Sequence, residues 1–193
     1  MTGITIGSPA PSFRLPSAQG PEIGADDYRG RKHVIVWFTK GMGCPFCRSH
    51  MSQLARGYPE FQKRDAEILE ISISPVARAR LYAQKFQLPF PYLCDPDLRV
   101  HAQWGLGRRA HGLGYYAVSF VMGAFAAKPA NDYGAFAPPL DEMRGVLSDD
   151  DMGFFIVDKQ GVVRYSLAGS YVEGKGARPI PSNDEVVSEL DRL

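Results

Sequence analysis

Residues 36–47 read VWFTKGMGCPFC, an apolar run that enters a glycine-rich turn and ends in two cysteines separated by Pro45-Phe46. A thiolate can attack an electrophilic oxygen or sulfur, and a second thiol nearby can condense with the product to form a disulfide. At an ordinary pKa of about 8.5 only a few per cent of a cysteine is ionised near neutrality. A thiol lowered to about 7 is roughly half thiolate there. Cys44 and Cys47 lie one helical step apart, a spacing at which a local disulfide is geometrically accessible. Metal binding fits less well. A closed zinc site takes four ligands, and the chain offers one CxxC, His50 at the next helical step and no second ligand cluster.

For this pair to be reactive, the turn must lead directly into a helix, whose first unpaired N–H groups favour a thiolate. The flanking sequence supplies that frame. His33–Thr39 (HVIVWFT) is a continuous apolar run, as in a strand buried on both faces. Pro45 suits the first helical position. Beyond it Cys47, Met51, Leu54, Tyr58 and Phe61 fall on one helical face. Gly57 and Pro59 are expected to interrupt that helix and kink it.

The elements further along read as strands alternating with helices. Ala66–Ser74 (AEILEISIS) reads as a second strand with an alternating pattern, and Ser74-Pro75 supplies the cap and first-turn proline of a helix reaching about Phe86. Phe90–Cys94 is a short edge strand, since Pro91 cannot donate to a ladder, and DPDLRVHAQWG is a short capped helix. FFIVD, the turn Lys159-Gln160-Gly161 and VVRYSL form a hairpin, and a last helix covers about Asn183–Arg192 with Ser182 or Asn183 as cap. The fold class is α/β: one domain over residues 1–193 built on a central mixed sheet flanked by helices. Residues 106–150 are a long insertion in it, rich in glycine, alanine and aromatics. Its aromatic side chains need cover, from a core of their own, from the active site or from an oligomer interface such as a homodimer.

Composition narrows the setting. The 193 residues carry 22 basic and 21 acidic side chains, a net +1, which leaves no electrostatic footprint for nucleic acid or an anionic membrane. The first residues, MTGITIGSPAPSF, show no basic and apolar leader, and the greasiest stretch, about Leu113–Ala127, is shorter than the ~20 residues of a span. The expected location is the cytoplasm, where a CxxC pair is more often catalytic than a structural staple.

Several segments then agree in order and spacing with one family. The opening GSPAPSFRLPSAQG with YRGRKHVIVWF, the stretch FPYLCDPDLRVHAQWGL and the hairpin FFIVDKQGVVRYSL resemble the peroxiredoxins of the alkyl hydroperoxide reductase/thiol-specific antioxidant (AhpC/TSA) family. The likeness covers about residues 5–106 and 152–192 and implies a thioredoxin-like fold. Counted without gaps from the strand, the family motif Pro-x-x-x-Thr/Ser-x-x-Cys sets Cys47 on the peroxidatic cysteine, Cys44 on the Thr/Ser and Lys40 on the proline. The family's arginine before the hairpin falls on Met152.

The resemblance therefore implies a thiol peroxidase that needs no metal or other cofactor. Cys47 would attack a hydroperoxide, Cys44 would resolve it as a Cys44–Cys47 disulfide, and a thioredoxin-like dithiol would recycle the pair. Arg48, His50 and Lys40, or Arg108 and Arg109 in the insertion, would supply the missing polar contacts. CxxC motifs with proline after the first cysteine also resemble thioredoxin and glutaredoxin, where the first cysteine leads. That keeps open a thiol–disulfide oxidoreductase with Cys44 as nucleophile. A non-catalytic redox-sensing or interaction module is the third reading. Cys94, at the end of an apolar run, reads as a small buried hydrophobe.

Overall fold

His33–Thr39 is β1, the middle strand of a five-stranded sheet, and all seven of its residues are buried. The computed structural model describes residues 4–107, 151–170 and 179–193, residues 114, 117 and 121, and the backbone of 172–173 and 176–177. On one side of β1 lie β2 (Ala66–Ser72) and β3 (Tyr92–Cys94), both parallel to it. On the other side the hairpin of β4 (Met152–Val157) and β5 (Val163–Gly169) runs antiparallel. The order is β3-β2-β1-β4-β5. Helices α1 (Pro45–Gln62) and α2 (Val76–Phe86) make the two crossovers, as parallel strands require. The result is the thioredoxin-like α/β arrangement that the sequence implies.

Because side chains alternate along a strand, β1 feeds two cores. Ile35 and Trp37 face α1, α2 and the last helix, α4 (Asn183–Leu190), meeting Met51, Leu54, Tyr82 and Val186. Val34, Val36 and Phe38 face the N-terminal arm and the five-residue α3 (Arg99–Gln103), meeting Phe13, Leu15 and Trp104. The buried Asp95 carboxylate holds α3 in place, accepting from the N–H groups of Arg99, Val100 and His101 and lying 2.7 Å from His101 Nδ1. Two short strands, β6 (Val172–Glu173) and β7 (Gly176–Ala177), pair with each other.

The structure changes several expectations. Helix α1 runs unbroken past Gly57 and Pro59 to Gln62. Gly57 serves close approach instead, since a Cβ there would lie 2.6 Å from Asn183 Cγ and 2.7 Å from Phe61 Cζ. The cap of α2 is Pro75, and Ser74 turns its hydroxyl toward the Tyr92 phenol. All seven residues of β2 are buried, Glu67 and Glu70 included. The strand ends at Ser72, because the Ser72 hydroxyl accepts from Ser74 N–H and its carbonyl accepts from Asp95 N–H. The last helix stops at Leu190, and its cap is Ser182, whose hydroxyl accepts from Glu185 N–H while Glu185 Oε2 accepts from Ser182 N–H.

Most of the insertion, with Arg108 and Arg109, lies outside the described residues. Its two ends are described and meet: Asp151 N–H donates to Gly107 O at 2.9 Å, and Gly107 N–H to Asp151 Oδ2 at 3.4 Å. Among the described residues no helix is long and apolar enough to cross a membrane.

Asn183 is itself tethered, its amide donating to Gln53 O at 2.8 Å, so it cannot swing aside for a methyl group at position 57. Gly57→Ala is therefore expected to destabilise the protein by about 1–3 kcal/mol despite alanine's better helix propensity. A rise in the denaturant midpoint would show that the contact yields.

Candidate active site

Strand β1 ends at Thr39, and Lys40-Gly41-Met42-Gly43 turns the chain into α1. Gly41 adopts φ +82°, a left-handed conformation natural to glycine. A Cβ there would lie within 2.8 Å of the hydroxyls of Ser72, Tyr92 and Ser74, so backbone rests directly on a polar floor. Thr39 Oγ1 accepts from Gly41 N–H at 2.9 Å, and Gly41 O accepts from Cys44 N–H at 3.1 Å. Arg48, on the first turn of α1, donates to Met42 O at 2.7 Å and ties the turn to the helix.

Cys44 is the N-cap of α1, with extended backbone and proline next in the helix. As a neutral thiol it makes no conventional capping bond. Its ionised form is nevertheless favoured. Burial, the largest single influence, opposes ionisation, but the Cys47 thiol, the Cys47 N–H, the Lys40 charge and the Phe46 N–H together outweigh it and bring Cys44 down to about 7. Cys47 lies one turn in and is fully buried, whereas Cys44 keeps 4% exposure. Both thiols are reduced. The helix terminus thus acts on Cys44, while ungapped counting puts the attacking role on Cys47.

The supporting residues divide. Lys40 is buried and its charge favours the Cys44 thiolate. Arg48 is committed to the turn backbone. Burial pushes His50 down to about 4, so it is a neutral imidazole at pH 7 and brings no positive charge. Its ring leans on Trp37 with centroids 6.4 Å apart, and among the described residues its Nδ1 has no hydrogen-bond partner. Met152, where the family arginine was counted, is wholly buried in β4. Cys94 belongs to the same core as the pair, but burial raises its thiol to about 11.

Glu70 and the floor of the turn escaped the sequence reading. Glu70 is fully buried on β2, opposite Trp37 of β1 and Tyr92 of β3, and accepts from Thr39 Oγ1 at 3.1 Å. Tyr92 donates its phenol proton to Ser72 Oγ at 2.9 Å. One signal was present: in AEILEISIS each alternate set mixes glutamate with apolar residues, so neither face is a solvent face.

Residues 6–166 match the AhpC/TSA family. The chain belongs to that family. Among its curated relatives, the AhpC/TSA chain is 35% identical over 107 residues to the thiol-disulfide oxidoreductase ResA of Geobacillus thermodenitrificans, a stretch covering 55% of this chain and 60% of that protein. It is 30% identical over 103 residues to the chloroplastic peroxiredoxin Q of Oryza sativa subsp. japonica, covering 53% of this chain and 47% of that one. The match therefore spans roughly half of each relative's own length. The fold is also that of a solved structure, the peroxidoxin BcpB from Mycobacterium tuberculosis, with a TM-score of 0.66, 18% identity and 98% of both chains covered.

Thiolate absorbance of the reduced protein is expected to titrate with a midpoint of about 7, set by Cys44. Lys40→Met should move that midpoint upward and slow alkylation under mildly acid conditions, because one favourable charge is lost. His50→Gln should leave it in place, and a clear shift on that substitution would reveal a charged histidine at the site.

Proposed function

We propose that this protein is a thiol-dependent peroxidase whose redox centre is Cys44 and Cys47, with attack by Cys44. That reverses the roles implied by ungapped counting. The observation that carries it is the position of Cys44 at the start of α1, where two backbone N–H groups and Lys40 favour its thiolate. Family membership supports the peroxidase chemistry.

In the proposed cycle the Cys44 thiolate attacks the terminal oxygen of a hydroperoxide. The O–O bond breaks, Cys44 becomes a sulfenic acid, and the departing alkoxide or hydroxide takes a proton from solvent. The Cys47 thiol then condenses with the sulfenic acid, releasing water and forming the Cys44–Cys47 disulfide. The thiols already interact in the reduced state, which supports closure without displacing α1. A thioredoxin-like dithiol, present in the cytoplasm where we place the protein, would reduce the disulfide by exchange and be oxidised in turn.

A second reading is thiol–disulfide exchange on a protein disulfide, again with Cys44 leading. The 35% identity to ResA favours it, together with a nucleophile at the helix cap.

Rapid mixing with hydrogen peroxide and trapping of sulfenic acid separate these readings. Cys47→Ser is expected to consume one equivalent and accumulate sulfenate at Cys44, while Cys44→Ser should lose at least ~100-fold in rate, the scale of removing a nucleophile. The reverse pattern would return the attack to Cys47. Wild-type protein that ignores peroxide yet exchanges rapidly with protein disulfides would sink the peroxidase reading.

A further inference from the structure

A series of hydrogen bonds through the turn links Cys44 to a buried carboxyl group on β2. Cys44 N–H donates to Gly41 O at 3.1 Å, Gly41 N–H donates to Thr39 Oγ1 at 2.9 Å, and Thr39 O–H donates to Glu70 Oε1 at 3.1 Å. Glu70 is the only link that β1 and the turn do not supply, so it anchors the turn to the neighbouring strand. Its second oxygen, Oε2, is buried without a hydrogen-bond partner among the described residues. A buried carboxylate with one donor and one bare oxygen is strongly disfavoured, whereas a carboxylic acid in that place leaves only a hydroxyl unpaired.

We propose that Glu70, as an uncharged carboxylic acid, is a positioning residue that fixes the Thr39–Gly41 turn and thereby the orientation of the Cys44 cap toward its N–H groups. The inference rests on the reading of Cys44 as the attacking thiol. Glu70 does not touch the reacting atoms. It acts as a neutral hydrogen-bond acceptor, and the orphan Oε2 carries the proton. Burial holds its acidity well below that of an ordinary carboxyl, with only the Thr39 hydroxyl working the other way. The titratable groups on this face of the sheet, among the described residues, include Tyr92 and Cys94 on β3, Cys44, Cys47 and His50 at the start of α1, Tyr58 further along α1, Tyr82 on α2, Tyr165 on β5 and Lys40 in the turn. Tyr92 stays a phenol, pushed up above all by burial.

The sign of the pH effect follows. Glu70 has a folded-state pKa above its unfolded value. Its contribution to stability is therefore full below the usual carboxylate range and is lost as pH rises toward the folded value. Glu70→Gln keeps the acceptor and removes the proton, so its stability relative to wild type should improve roughly tenfold in folded-to-unfolded ratio per pH unit above about 4.3, until Glu70 itself ionises in the folded state.

The test is thiol titration by absorbance and iodoacetamide alkylation in a Cys47→Ser background, which leaves Cys44 as the responsive thiol and requires no peroxide. Glu70→Gln and Thr39→Ser, which keep the series of hydrogen bonds, should alkylate within about twofold of the background protein. Glu70→Leu and Thr39→Val, which break it, should raise the Cys44 midpoint and slow alkylation by roughly fivefold, the scale of one hydrogen bond. Urea midpoints for wild type and Glu70→Gln across a pH series supply the linkage. The proposal is overturned if Glu70→Gln is as impaired as Glu70→Leu, if Thr39→Val leaves the midpoint unmoved, or if the stability difference does not change with pH. Thr39→Val keeps the experiment decisive even if Glu70→Leu does not fold. A background midpoint in the ordinary thiol range would separately sink the Cys44 assignment, and the inference with it.

Discussion

The site depends on a helix whose first residue offers sulfur where most helices offer oxygen. The first N–H groups of α1 have no partners inside the helix, and a Ser, Thr, Asp or Asn cap would normally satisfy one of them. With Cys44 there, these donors are better satisfied when the thiol ionises. The helix thus gains from the ionised state, so on the proposed reading capping and activation are one interaction. Everything else holds that geometry: β1 delivers the turn, Arg48 ties it to α1, and the Thr39–Glu70 link ties it to β2.

Burial makes this arrangement sensitive. Cys44 is almost enclosed, and enclosure alone would suppress its ionisation. Contributions of both signs are large in such a place, since low local dielectric magnifies attraction and desolvation alike. Cys94 is the control within the same core. It has the same chemistry and a similar depth, but no helix terminus, and its thiol is pushed up to about 11. What sets the pair apart from Cys94 is its position in the fold.

Much of the frame was legible because it rests on local rules. HVIVWFT reads as a doubly buried strand, FFIVDKQGVVRYSL as a hairpin and Pro45 as a first-turn residue, and each keeps that character in the structure. The misreadings arose where a distant element decided the outcome. Gly57 looks like a helix breaker until Asn183 of α4 is set against it. Glu67 is buried because Tyr58, Lys32 and Gln62 converge on it from other parts of the chain. At the site the two thiols were visible, and two different signals bear on their order. Ungapped counting measures distance along the chain, whereas the electrostatics depend on which sulfur coincides with the helix boundary. Glu70 was hidden for a related reason, since its partners lie on β1 and β3 and only pairing brings them together.

The closure at Gly107 and Asp151 has a consequence for the length of the segment between them. Forty-four positions separate two residues in hydrogen-bond contact, so the chain between them leaves and rejoins the sheet at one point. Lengthening a shut loop is thermodynamically cheap, about 0.6 kcal/mol for each doubling. A change in the length of the segment alone therefore adds little closure cost at the point where the chain leaves and rejoins the sheet.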